Sequence, residues 1–179
     1  MENFLELANK RESCRKFDGR PVSREDLLKC VEAARLAPSA CNSQPWKFII
    51  VDDPALKTEL CRAAFSAPYT ASWPEKAGAI VVVISESGSF ASKIGNLVRD
   101  TRYYLIDVGI AVEHFILQAA ELGLGTCWMG WFNEKRVKKV LGLPSASRVD
   151  IIVPVGYPEN KEPRRKIRKG IEETYKFNK

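Results

Sequence analysis

Apolar residues along the chain recur at helical spacing, at strand spacing or in unbroken runs, and these patterns divide it into elements with short polar connections. Residues 2–9 carry Phe4, Leu5, Leu7 and Ala8 and predict a short helix. Ser23-Arg24-Glu25-Asp26 has the form of a capping box, and Leu27, Leu28, Val31, Ala34 and Ala37 follow at helical spacing. This second helix, expected over 24–37, stops at Pro38, which lacks an N–H and clashes with the preceding turn. A strand is predicted near 47–51. Asp53-Pro54 then starts a helix running to about Phe65, because Asp caps well and Pro is pre-set for a first turn. Residues 67–76 hold prolines and aromatics and read as a loop suited to the rim of a pocket. Ala79-Ile80-Val81-Val82-Val83-Ile84 is apolar without alternation, the pattern of a strand covered on both faces. Residues 85–100 give no clear period and read as a loop.

The longest helical signal follows at about 103–122, apolar over most of its circumference and so expected to be buried. Gly123 and Gly125 are its stop signals. Thr126 to Phe132 reads as an aromatic strand interrupted by Gly130. Asn133 is expected to cap a helix that ends before Gly142-Leu143-Pro144. Residues 149–155 form a further apolar strand, closed by Gly156-Tyr157-Pro158, and a basic tail over 161–179 is expected to leave the body. No composition shift marks a boundary, and 179 residues suit one domain with a single full core.

Composition narrows the classes. Apolar content of 45% and charge of 28% are those of a soluble globular chain. The first residues have early acids and short apolar runs, unlike a secretory signal, and the apolar region 105–124 is interrupted by Asp107, Glu113, His114 and Glu121, unlike a membrane span. A cytoplasmic protein without membrane partners is expected. The five cysteines (Cys14, Cys30, Cys41, Cys61, Cys127) form no CxxC pair and are odd in number, which favours free thiols over a disulfide scaffold. With His114 the sole histidine and no Cys/His cluster, a zinc site has no ligands. Lying in an apolar helical run, His114 itself reads as a core or interface residue. Net charge is +6, and residues 159–179 alone hold eight basic against four acidic side chains. That concentration points to an anionic partner: a nucleic acid, a membrane surface or a phosphate group.

Three stretches carry candidate chemistry. In Arg11-Glu12-Ser13-Cys14-Arg15 two arginines at i and i+4 flank a serine, and guanidinium forks with a hydroxyl between them suit phosphate. A solvated charged turn has the same composition. Between Pro38 and Trp46, small residues and the amides of Asn42 and Gln44 suit the N–H and C=O edges of a flat heterocycle. An ordinary helix-to-strand connector would use the same residues. Gly130 would let a flat ligand approach the backbone. Gly123-x-Gly125 is no dinucleotide fingerprint, because Trp128 stands where the third glycine belongs and a helix precedes the pair.

Arg11-x-Ser13-x-Arg15-x-Phe17, Pro38-Ser39-Ala40-x-Asn42-x-Gln44-Pro45-Trp46, Gly123-Leu124-Gly125-Thr126-Cys127-Trp128-Met129-Gly130 and Lys166-x-Arg168 occur in this order. Together they resemble the FMN-dependent nitroreductase family over nearly the whole chain. The resemblance implies an α+β fold, a mixed β-sheet flanked by helices and built as an interlocked homodimer, with FMN at the subunit interface. It implies that Arg11, Ser13 and Arg15 hold the flavin phosphate and one polar ring edge, and that Lys166 and Arg168 complete the phosphate clamp. Pro38, Ser39, Ala40 and Asn42 would come from the partner subunit, with Gln44 in support, and the Met129-Gly130 backbone would face flavin N5. The basic extension 159–179 would contribute to this site and to the dimer. The implied activity is ping-pong hydride transfer from NADH or NADPH, through the flavin, to an electron-poor small molecule such as a nitroaromatic or quinone. No catalytic acid, triad or metal is then required of the protein.

Several positions depart from the commonest family pattern: Glu12 beside the arginines, Cys41 in the amide loop, Trp131 where a small residue is frequent, and Gly170 in place of a proline. The short 85–103 stretch leaves little room for a covering lid. Two alternatives stay beside the oxidoreductase reading: an FMN-using dehalogenase or flavin-modifying relative, and a non-enzymatic basic module. Nucleic acid is disfavoured as a partner, because the tail's aromatics, Tyr175 and Phe177, follow its cations rather than interleave with them.

Overall fold

A computed structural model describes residues 3–85, 101–160 and 164–178. The expected loop at 85–100 lies, beyond Ser85, outside the described residues. In chain order the elements are α1 (Phe4–Lys10), α2 (Arg24–Arg35), β1 (Trp46–Val51), α3 (Pro54–Ala64), β2 (Ala79–Ser85), α4 (Tyr103–Glu121), β3 (Gly125–Thr126), α5 (Glu134–Val140) and β4 (Arg148–Gly156). Short 3₁₀ turns occupy Ala40–Asn42, Trp73–Lys76 and Ile171–Glu173. The caps are the ones the sequence signals: Ser23 accepts from Asp26 N, Asp53 from Leu56 N and Asn133 from Arg136 N.

The sheet order is β1-β2-β4-β3, with antiparallel ladders throughout and one parallel bridge from Ser13 to Thr126. The unalternating apolar run is therefore the inner strand β2, and its residues from Ala79 to Ile84 are all buried. Because side chains alternate along a strand, β2 feeds two cores. Val81 and Val83 join Leu27, Ala34, Val112 and Phe115 under α2 and α4, while Ile80 and Val82 join Leu60, Ala64 and Val137 under α3 and α5. Each Val or Ile so buried is worth about 1.5–3 kcal/mol relative to exposure. The α+β layering thus follows directly from the chain's hydrophobic pattern. His114 Nδ1 lies 3.2 Å from Ala33 O, linking α4 to α2, which is the structural part its setting suggests.

Two expectations are corrected. The strand expected over 126–132 is limited to Gly125–Thr126. Beyond it Cys127 N still donates to Pro154 O of β4 at 3.3 Å, Trp128 turns outward, and Met129 exchanges backbone hydrogen bonds with Ile152 at 2.9 and 3.0 Å. The basic tail, expected to depart, comes back to the body at Arg164 and Lys166, because a carboxylate and two carbonyls there receive its donors. Among the described residues no helix is long and apolar enough to cross a membrane.

Candidate functional site

The first constellation grows from the end of α1. At Arg11 the backbone leaves the helix for an extended path (φ −59°, ψ 124°) that brings Ser13 beside β3. Cys14 N donates to Thr126 O at 2.8 Å, and the buried Cys14 side chain faces Gly125. A Cβ on Gly125 would lie 2.7 Å from Cys14 Cβ, so a glycine is required for the 11–15 segment to lie this close. The seam continues as Asp18 N donates to Tyr157 O and Glu159 N to Lys16 O, both at 3.1 Å. With Cys14 and Phe17 turned into the core, Arg15 is left exposed and Arg11 and Ser13 half-buried.

The C-terminal segment supplies further cations to the same place. Lys166 Nζ donates to Arg11 O. The Lys166 ammonium is held below its ordinary pKa by partial burial and then by the charges of Arg11 and Arg168, with Glu12 acting in the opposite sense. Burial raises the Cys127 thiol, and Arg15, Arg164 and Arg11 pull against that rise. Lys166 thus meets Arg11 directly, and Arg15, Arg164 and Arg168 lie near enough to act by charge on Cys127 or Lys166, which makes a cationic cluster of residues from the two ends of the sequence. Glu12 does not pair with the neighbouring arginines; its Oε2 accepts from Arg164 N at 2.9 Å. A cavity of about 300 Å³ opens alongside, with Lys10, Arg11, Glu12, Arg20, Thr126 and Tyr157 in its wall.

The second constellation is the amide loop. Cys41, Asn42 and Gln44 all have positive φ (53°, 50° and 43°), a left-handed conformation that side-chain-bearing residues adopt only when their surroundings over-determine it. The restraint comes from Asp107 on α4, 4% exposed, whose Oδ1 accepts from Ala40 N at 3.0 Å and Oδ2 from Ser43 Oγ at 3.4 Å. Ser39 Oγ accepts from Gln44 N at 3.0 Å, and Gln44 Nε2 donates to Asn42 Oδ1 at 3.0 Å. Gln44 thus acts on Asn42. Pro38, Cys41 and Asn42 are exposed, and Ser39 and Ala40 are half-buried. Among the described residues, 38–44 neither lines the cavity beside Arg11 nor shares a hydrogen bond with the cations. Within one chain the two constellations are separate.

The third is the Met129-Gly130 corner. Met129 N–H is committed to Ile152 O, so of the two amides assigned to the flavin edge only that of Gly130 stands beyond the sheet. Gly130 is exposed, and a Cβ there would meet nothing within 4 Å. Trp128 and Trp131 flank it, exposed by 40% and 69%. Tyr69, from the loop expected to form a rim, lies 5.2 Å from Trp131 between ring centroids. Asp107 and Arg164 are the positions that reading of the sequence passed over. Asp107 registered only as an interruption of an apolar run, and Arg164 only as part of a charge total.

A cation cluster beside an opening, a strained polar loop and an accessible backbone corner on a helix-flanked antiparallel sheet define a ligand-binding α+β protein. The model of the nitroreductase family matches residues 8–157, and the chain belongs to that family. An Archaeoglobus fulgidus protein named as a putative NADH dehydrogenase/NAD(P)H nitroreductase is 33% identical over 166 residues, covering 90% of this chain and 89% of its own. An iodotyrosine deiodinase of Thermotoga neapolitana is 29% identical over 176 residues, covering 92% and 93%. Among solved structures, a nitroreductase family protein from Clostridium novyi NT superposes with a TM-score of 0.76 at 34% identity, covering 90% of this chain and 89% of that one. An FMN-dependent nitroreductase from Clostridium difficile R20291 gives a TM-score of 0.76 at 27% identity, covering 98% and 99%.

Proposed function

We propose that the chain is an FMN-dependent oxidoreductase that works as an interlocked homodimer. The single observation that carries this reading is the meeting of the two ends of the chain, where Lys166 Nζ donates to Arg11 O and Arg168 follows two residues on. Like charges brought together repel one another, and an anion such as a phosphate monoester relieves that repulsion. The donor set fits FMN in other respects. Arg11 and Arg15 present planar forks, Ser13 adds a hydroxyl, and Gly130 leaves backbone room for a flat ring.

Bound FMN would supply the redox chemistry, a ping-pong hydride transfer between NADH or NADPH and an electron-poor acceptor such as a nitroaromatic or quinone. The protein binds and orients it. Arg11, Ser13, Arg15, Lys166 and Arg168 fix the phosphate end and offset the negative charge that accompanies reduction. The Gly130 N–H is the backbone donor offered to the N5 edge, since that of Met129 is occupied. Pro38, Ser39, Ala40 and Asn42 of a second copy would line the ring, with Gln44, which donates to Asn42 Oδ1, holding Asn42 in place. A second copy also accounts for the exposed Leu28, Leu36, Ile106, Ile167, Ile171 and Phe177, since apolar surface on this scale marks an interaction face.

The test is optical. The purified protein is expected to be yellow, or to become so with added FMN, and NADH or NADPH should bleach it under anaerobic conditions. A colourless protein that takes up no FMN contradicts the reading. The Thermotoga neapolitana relative supports a second reading, an FMN-using dehalogenase. Halide release from a halotyrosine by the reduced protein, faster than reduction of nitroaromatics or quinones, would favour it.

A further inference from the structure

Glu12 is an acid inside a cluster of cations, and by charge alone it opposes the binding of an anion. Its carboxylate is committed to the C-terminal segment. Oε2 accepts from Arg164 N at 2.9 Å and faces Arg164 Nε at 3.4 Å, while Arg164 Nη2 donates to Ser13 O at 2.6 Å. Arg164 is therefore held at three points by two consecutive residues of the turn that carries Arg11. The Glu12 side chain is only 22% exposed, which strengthens its hydrogen bonds relative to those of a solvated carboxylate. Within one chain nothing apolar does the same work, because Ile167 and Ile171 are 88% and 75% exposed there. Among the described residues, the hydrogen bonds that tie 164–170 back to the body run through Arg164 and Lys166.

We infer that Glu12 is a positioning residue: by gripping Arg164 it fixes the C-terminal segment against the 11–13 turn, so that Lys166 and Arg168 stand with Arg11 as one anion site. The inference rests on the reading of this cluster as the flavin phosphate site. It also predicts a sign. If Glu12 were merely a repelling charge, its removal would tighten phosphate binding; as a positioning residue, its removal loosens it.

The experiment uses the full chain and titrates FMN and riboflavin, which has the same ring and no phosphate, into wild type, Glu12→Ala, Arg164→Ala and the double variant, followed by flavin fluorescence. FMN affinity is expected to fall about three- to tenfold in either single variant, while riboflavin affinity changes by less than about twofold. The double variant should fall no further than the singles, because both remove the same contact. Glu12→Gln keeps an acceptor for Arg164 N and should recover part of the loss. Trypsin should cut within 164–168 faster in Glu12→Ala than in wild type. Should Glu12→Ala fold poorly, Glu12→Gln keeps the side-chain volume and still decides, because removal of a merely repelling charge would tighten FMN binding whereas a weakened grip on Arg164 loosens it. FMN binding that is unchanged or tighter in Glu12→Ala overturns the inference, as do equal losses for FMN and riboflavin. A wild type that binds riboflavin as tightly as FMN instead removes the underlying phosphate reading, and this inference with it.

Discussion

Replacing Asp107 with alanine tests whether the amide loop is shaped by the side chain beneath it. The substitution removes a charge-assisted hydrogen bond to Ala40 N at 3.0 Å and a longer one from Ser43 Oγ at 3.4 Å. The first is worth about 1.5–3 kcal/mol, and the second adds a few tenths at most given its length. Two effects act the other way. A buried carboxylate no longer has to be desolvated, and a small part of the backbone strain at Cys41, Asn42 and Gln44 relaxes, most of it staying because the Ser39–Gln44 and Gln44–Asn42 hydrogen bonds still hold the turn. The net expected loss is about 1–2.5 kcal/mol in urea unfolding, or roughly 3–8 °C in melting temperature for a chain of this size. Asp107→Asn keeps an acceptor for Ala40 N and can donate to Ser43 Oγ, so its loss should be about half as large. Both variants are compared with wild type at one protein concentration, because the stability of the proposed homodimer would depend on it. FMN affinity should fall in the same order, as the loop loses its fixed shape. An alanine variant within about 0.5 kcal/mol of wild type, with flavin affinity unchanged, would refute the reasoning.

Three further outcomes are expected. Arg11→Ala combined with Arg168→Ala should abolish FMN retention on gel filtration, since each removes phosphate contacts worth about 1.5–3 kcal/mol; unchanged flavin absorbance would mean that the phosphate lies elsewhere. Lys166 is held below its ordinary value of 10.5 by burial, Arg11 and Arg168, so between the lowered folded value and 10.5 the unfolded chain binds more protons. The flavin-free protein should therefore gain stability as pH rises through that window, and FMN should bind more weakly there; a Lys166→Met variant with the same pH profile would contradict this. Burial pushes the Cys30 and Cys61 thiols up to about 12 and raises those of Cys14 and Cys127, whereas Cys41 is exposed, so a thiol reagent at pH 8 should label Cys41 alone until the protein unfolds.

What could be read from the sequence, and what could not, follows the range of each interaction. Local signals carried α2, α3 and α5, because Ser23, Asp53 and Asn133 act on amides within the next turn. The unalternating run of β2 also spoke for itself, since a strand covered on both faces has no polar side to reveal. The end of the strand at Thr126 did not, because Cys127 to Phe132 has strand composition and only the pairing of Met129 with Ile152 shows where the chain leaves the ladder. The candidate site divides the same way. Arg11, Arg15, Lys166 and Arg168 stood out as cations, yet their convergence depends on a tail bent back by Glu12, a contact across 152 positions. Asp107 acts across 67 positions on a backbone amide, and backbone partners leave no mark on side-chain composition.

The central claim is met most directly by a crystal structure of the protein grown with FMN. The account predicts the phosphate within hydrogen-bonding distance of Arg11, Lys166 and Arg168 of one chain, with the 38–42 loop of a second copy against the ring. FMN bound away from these cations, or an assembly in which Arg11, Asn42 and Arg168 face unrelated surfaces, would contradict it.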